Sequence, residues 1–182
     1  METTIDEDEK LRFLNDHIPY KISRLISIFL LQEKCSDCNM PIGYKELVSR
    51  VCQEDGFTSG RLLLHFLGLN ANSNGDLILY RTKSSDDIFV NDLGGIKFNQ
   101  NEITVIPDND KAIIITFLKR ANKGAAHMTK EGKGEINGFK VLPDAIKIIL
   151  RFLKTRLYDP IGKSFILDFK GLNIDMNLII NG

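Results

Sequence analysis

Asp110-KAIIITFLKRANKGAAHMT-Lys130 is a long apolar segment that carries an arginine and a histidine where core residues belong. Ile113, Phe117, Arg120, Gly124 and His127 follow one another at spacings of four, three, four and three, which puts all five on one face of a helix. Ile114, Leu118, Ala121, Ala125 and Met128 repeat that spacing one residue later, so the apolar surface is wide and predicts a helix enclosed by others. Pro107-Asp108-Asn109-Asp110 suits its start, because a carboxylate or amide can accept from the free amides of the first turn. Glu131-GKGEIN-Gly138, rich in glycine and charge, predicts an end near Lys130 and a flexible loop over Gly132–Gly138.

Working outward, Leu11, Leu14, Ile18, Ile22, Leu25 and Phe29 form a helical seam that begins with acidic Asp6-ED-Glu9. Pro19 interrupts it, which predicts two helices meeting there or one kinked helix. Tyr44, Leu47, Val48, Val51 and Cys52 form the apolar face of the next helix, with Gly56 as its expected stop. Thr58 is the expected cap of a short helix ending at Gly68, in which His65 reads as a core or partly exposed residue. The run NANSNG over 70–75 is turn chemistry. Asp76-LILY-Arg81 and Asp87-IFVN-Asp92 then read as a hairpin, followed by a Gly94-Gly95 turn, a short strand at Ile96–Phe98 and a fourth strand or linker at Glu102-ITV-Ile106. Pro143 fits the first turn of a helix from Leu142 to Tyr158, with Ile146, Ile149, Leu150, Leu153 and Leu157 inward. Phe165-ILD-Phe169 and Ile174-DMNLI-Ile180 read as strands that pair with the hairpin.

These elements predict an α+β fold: a mainly helical bundle with a small β-hairpin or sheet insertion. One domain spans 1–182, with a helical core over about 6–69 and 109–158, a β-rich insertion over 76–106 and C-terminal strands over 164–180. A length of 182 residues with 43% hydrophobic content is enough for one good core. No apolar run approaches a membrane span and the acidic N-terminus lacks a secretory pattern, so the expected location is the cytoplasm, with no membrane partner. Cys35, Cys38 and Cys52 are expected as reduced thiols. A structural zinc would need Cys52 with His65 or His17 as further ligands, a spacing that matches no strong pattern; the expectation is no metal and no cofactor.

Charge is unevenly spread although the total is zero. Residues 119–170 carry +7 and residues 1–118 carry −6. Such a block can meet a polyanion or an acidic surface of the same molecule. Lys119, Lys123, Lys147, Arg151 and Lys154 are the candidate contacts to a nucleic acid, the last three recurring along one helix face that would otherwise be a solvated surface.

Arg120 and His127 supply the only constellation with chemistry. An arginine can hold a phosphate by two parallel hydrogen bonds, and a histidine can move protons at neutral pH. Asn122 could donate one further bond. Together they suit metal-independent phosphodiester cleavage in which an RNA 2′-hydroxyl attacks its own phosphate. Arg120-ANKGAA-His127 resembles the HEPN superfamily, whose members are mostly helical bundles with an arginine, a spacer of four to six residues and a histidine on one helix. That resemblance implies a homodimer with two motifs facing each other, RNA as partner, and ribonuclease activity with Arg120, His127 and Asn122 as catalytic residues. Ala121, directly after the arginine, departs from the polar residue common there. The alternative is a non-catalytic binding or interaction module with a basic C-terminal face. There Arg120 reaches an acidic residue such as Asp16, and His127 hydrogen-bonds a backbone carbonyl.

Overall fold

The computed structural model describes residues 5–35, 41–80, 87–124 and 140–182. Asp6 caps α1 (Glu7–Arg12) by accepting from the Glu9 amide at 2.7 Å, and the acidic first turn meets the positive end of the helix dipole. Pro19 does not end this helix. The turn before it widens into a π-helix, Phe13–His17, in which the Ile18 amide donates to the Phe13 carbonyl, and α2 (Ile18–Leu25) follows directly. A proline has no N–H and crowds the carbonyl four residues back, so one wider turn relieves both problems. The chain breaks instead at Ile26, before α3 (Ser27–Cys35).

Residues expected to form two helices form one, α4 (Ile42–Phe66). Gly56 and Gly60, one turn apart within it, are points of close approach. A Cβ on Gly56 would lie 3.4 Å from the Leu25 carbonyl oxygen, and one on Gly60 only 2.5 Å from Phe117 Cζ. At Gly60 the close approach outweighs the roughly 1 kcal/mol of helix propensity that a glycine forgoes. Gly68 is the actual stop, in the left-handed region at φ +87°. Along the first half of α4 the expected apolar face is largely uncovered: Val48 and Cys52 are half-buried, while Tyr44, Leu47 and Val51 are exposed.

The hairpin forms one strand earlier than the sequence pattern predicts. β1 (Leu69–Ala71) pairs antiparallel with β2 (Leu77–Leu79), Leu69 opposite Leu79, around a turn in which Asn72 Oδ1 accepts from the Asp76 amide at 2.8 Å. Asp87–Asp92 is no strand: Asp92 Oδ2 accepts from the Phe89 amide at 2.7 Å, a local bond that bends the chain into a 3-10 turn, Val90–Leu93, closed by Gly94 at φ +89°. Ile96–Phe98 has no strand partner among the described residues either. Glu102–Ile106 lies mostly in a helix, α5 (Gln100–Val105), because Asn99 and Glu102 cap each other: Asn99 Oδ1 accepts from the Glu102 amide at 3.1 Å, and Glu102 Oε2 from the Asn99 amide at 2.9 Å.

α6 (Asp108–Gly124) is the central helix, and α7 (Val141–Leu153) packs along it before running into a second π turn, Lys154–Tyr158. The expected length and inward face of the α7 segment hold: Ile146, Ile149, Leu150, Leu153 and Leu157 are fully buried. They meet Ile22 and Leu25 of α2, Leu63 and Leu64 of α4, and Ile114, Phe117, Leu118 and Ala121 of α6 in one core. β3 (Ile166–Phe169) and β4 (Leu172–Asp175) pair with each other and not with the first hairpin. Asp175 then caps α8 (Met176–Asn181), where a strand was expected. The result is a mainly helical α+β fold, with two small antiparallel sheets among the described residues. No described helix is long and apolar enough to cross a membrane.

Candidate functional site

On α6 the core stripe is Ile114, Phe117, Leu118 and Ala121, all fully buried, so the centre of the inward face lies between the two seams read from the sequence. Arg120 is half-buried on one flank of that stripe. Asn122 lies on the opposite flank, because two residues along a helix are turned by roughly 200° from each other. There its Oδ1 accepts from Arg61 Nη1 of α4 at 3.3 Å. The two side chains expected to act together on one phosphate are thus separated by the body of the helix. His127, together with the expected helix end near Lys130 and the Gly132–Gly138 loop, lies outside the described residues, and so does the Lys123 side chain.

Lys119 follows the Asn122 flank and reaches the hairpin turn, its Nζ occupying space 2.5 Å from where a Cβ on Gly75 would stand. Arg61, one turn before His65 on α4, completes a group that the sequence pattern hid among leucines. The His65 ring lies flat on Tyr80, centroids 4.1 Å apart and 6° from parallel. Burial pushes its pKa below the ordinary histidine value and Arg61 adds to that, against the opposing effects of Asn70 and Asp87. A neutral imidazole at pH 7 follows. His65 Nε2 and Arg61 Nε are both buried and find no hydrogen-bond partner among the described residues. The one advance signal was the four-residue spacing of Arg61 and His65, which puts them on one helix face.

The basic block resolves into internal ion pairs at three positions. Arg151 Nη2 lies 2.9 Å from Asp110 Oδ2 across the α6–α7 contact, and Lys154 Nζ lies 2.8 Å from Asp159 Oδ1. Arg156 Nη1 reaches Glu102 Oε1 at 2.6 Å and stacks on the Phe98 ring, 4.2 Å from its centroid. Partial burial raises the Glu102 pKa, but the Arg156 bond and the Asn99 backbone bond outweigh it and hold the carboxyl below its usual range. Lys147 is half-buried on α7. Two of the five proposed nucleic-acid contacts, Arg151 and Lys154, therefore already have carboxylate partners in the same chain.

Cys52 is a free, half-buried thiol, and Cys38 lies outside the described residues. No group of three His, Cys, Asp or Glu side chains among the described residues could hold a metal ion. Comparison with protein-family models, curated proteins and solved structures gives no match for this chain.

Proposed function

We propose that the protein is a non-catalytic interaction module that pairs with a second copy of itself through the first half of α4. The observation that carries this is the apolar stripe there: Ile42, Tyr44, Leu47 and Val51 are 80, 64, 58 and 49% exposed, three of them at helical spacing. Contiguous apolar side chains on one helix face are the usual element by which helices recognise each other. α6 offers no comparable surface among the described residues, since its apolar side chains are spent on the protomer's own core. Lys45, Glu46, Arg50 and Glu54 flank the stripe with no net charge, so no net repulsion opposes two identical copies. Light scattering tests this directly. The wild type should form a dimer, and Leu47→Glu with Val51→Glu should return it to a monomer of unchanged helicity, because neither residue is buried in the protomer. A monomeric wild type removes the proposal, and a dimer that survives both substitutions moves the interface elsewhere.

A second proposal is metal-independent RNA cleavage of the HEPN type by Arg120 and His127. It is supported by Arg120 standing half-buried on the central helix α6. Cleavage measured in EDTA should then be abolished by Arg120→Ala and by His127→Ala. Asn122→Ala should matter less, its side chain being committed to Arg61. Wild-type protein that leaves RNA intact ends this proposal without touching the first.

A further inference from the structure

The last turn of α4 holds a cluster apart from the exposed stripe. His65 lies there with its ring flat against Tyr80, the residue that follows β2, centroids 4.1 Å apart and planes 6° from parallel. Tyr80 also ties the hairpin to the end of the helix through its backbone, whose N–H donates to the Gly68 carbonyl at 2.8 Å. Phe89 extends the row of rings, 6.1 Å from Tyr80, and the Lys97 ammonium closes it, 3.2 Å from the centre of the Phe89 ring. One imidazole thus joins α4 to the end of the β1–β2 hairpin.

The surroundings suit a neutral ring. His65 Nε2 is buried and meets no hydrogen-bond partner among the described residues. Arg61, one turn earlier, is a cation held by Asn122 of α6, and Lys97 is a second beyond Phe89. Burial has the largest effect on the proton affinity of His65 and lowers it; Asn70 raises it, Arg61 lowers it and Asp87 raises it, with a net lowering. An imidazolium here would bury an N–H donor with no acceptor as well as a charge, a cost that moving the ring out to water removes. Attraction of a cation to the Tyr80 face offsets part of that cost without supplying an acceptor. We propose that a proton on His65 releases Tyr80 from α4, so that the joint between this helix and the β1–β2 hairpin is an acid-opened latch. It does not depend on self-association, which uses the other half of α4. A histidine that holds its proton less firmly in the closed form contributes stability that is complete above the open-state pKa. That stability is lost as pH falls toward the closed-state pKa, and the opening equilibrium rises by up to about tenfold per pH unit in that window.

NMR of the full chain, titrated from about pH 7.5 to about pH 4.5, tests it. The His65 ring protons should titrate with a midpoint below the ordinary histidine value. The Tyr80 ring signals, and the protection of the Tyr80 amide against hydrogen exchange, should change with that same midpoint. His65→Phe keeps a ring on Tyr80 but has no proton to take up, so Tyr80 should stay protected throughout. Arg61→Gln removes a like charge and should raise the midpoint. A His65 midpoint at or above the ordinary value, or a His65 that stays neutral over the whole range, overturns the proposal. So does a Tyr80 that remains protected while His65 takes up its proton, or one that opens over the same range in His65→Phe. Should that variant not fold, the wild-type and Arg61→Gln midpoints decide, and an unmoved midpoint in Arg61→Gln overturns the latch.

Discussion

The backbone N–H of Ile96 donates to the carbonyl of Arg156 at 2.7 Å. In an unbroken α-helix that carbonyl would take the amide four residues on, but residue 160 is a proline and has none. The segment after the 3-10 turn supplies the missing donor, and Gly95 lets it come close: a Cβ there would collide with the same Arg156 oxygen and with Val90. Gly95→Ala is therefore expected to lower stability by about 1–3 kcal/mol, through overpacking and strain on this bond. Chemical denaturation reads it, and an alanine variant as stable as the wild type would show the contact to be dispensable.

Gly56 and Gly60 should answer the same substitution differently. At Gly56 a methyl group meets ordinary van der Waals contacts, so Gly56→Ala should be neutral or gain up to about 1 kcal/mol from helix propensity. Gly60→Ala puts a methyl 2.5 Å from Phe117 Cζ, in a ring that is fully buried, and should cost about 1–3 kcal/mol. Equal thermal midpoints for the two variants would contradict the packing.

Glu102 caps α5 and holds Arg156, and these bonds keep its carboxyl pKa below the ordinary value. A depressed carboxyl contributes stability that is present above the unfolded pKa and lost as pH falls through the folded one. Glu102→Gln should thus cost about 1–2 kcal/mol at pH 7, and this deficit should shrink on acidification below about pH 4. Urea unfolding at both pH values checks it; a deficit independent of pH would mean that charge plays no part.

Tyr158 behaves in the opposite sense. Burial pushes its phenol from 10.0 up to about 12, so the protonated form is favoured in the fold. The associated stability is complete below pH 10 and lost between pH 10 and 12, about 2–3 kcal/mol in all. Tyr158→Phe should remove that alkaline slope while keeping the ring against Phe165, 4.6 Å away. Parallel unfolding curves at pH 11 for both proteins would refute it.

Much of the helical core was legible because apolar spacing is a local property. The seam of Ile146, Ile149, Leu150, Leu153 and Leu157, the acidic start of α1 and the Gly68 stop were all read from neighbours within a few residues. The class, mainly helical with small β elements, followed from these. Signals that were present but overruled by β-propensity include the reciprocal Asn99 and Glu102 cap, which makes a helix of a strand-like run.

Other features were decided by contacts between distant parts of the chain. Whether Gly56 and Gly60 end a helix or let two helices touch depends on Leu25 and Phe117, which the local pattern cannot see. Pro19 and Pro160 both mark disruption in the sequence, but the helix runs on through a widened turn at Pro19, where the residues beyond it have a core to join, and ends at Pro160. Asn122 reads as a companion of Arg120 along the chain, yet helix rotation hands it to Arg61. Likewise the basic block from 119 to 170 is a sequence property, whereas its partial neutralisation by Asp110, Asp159 and Glu102 arises because folding brings opposite charges within hydrogen-bonding distance.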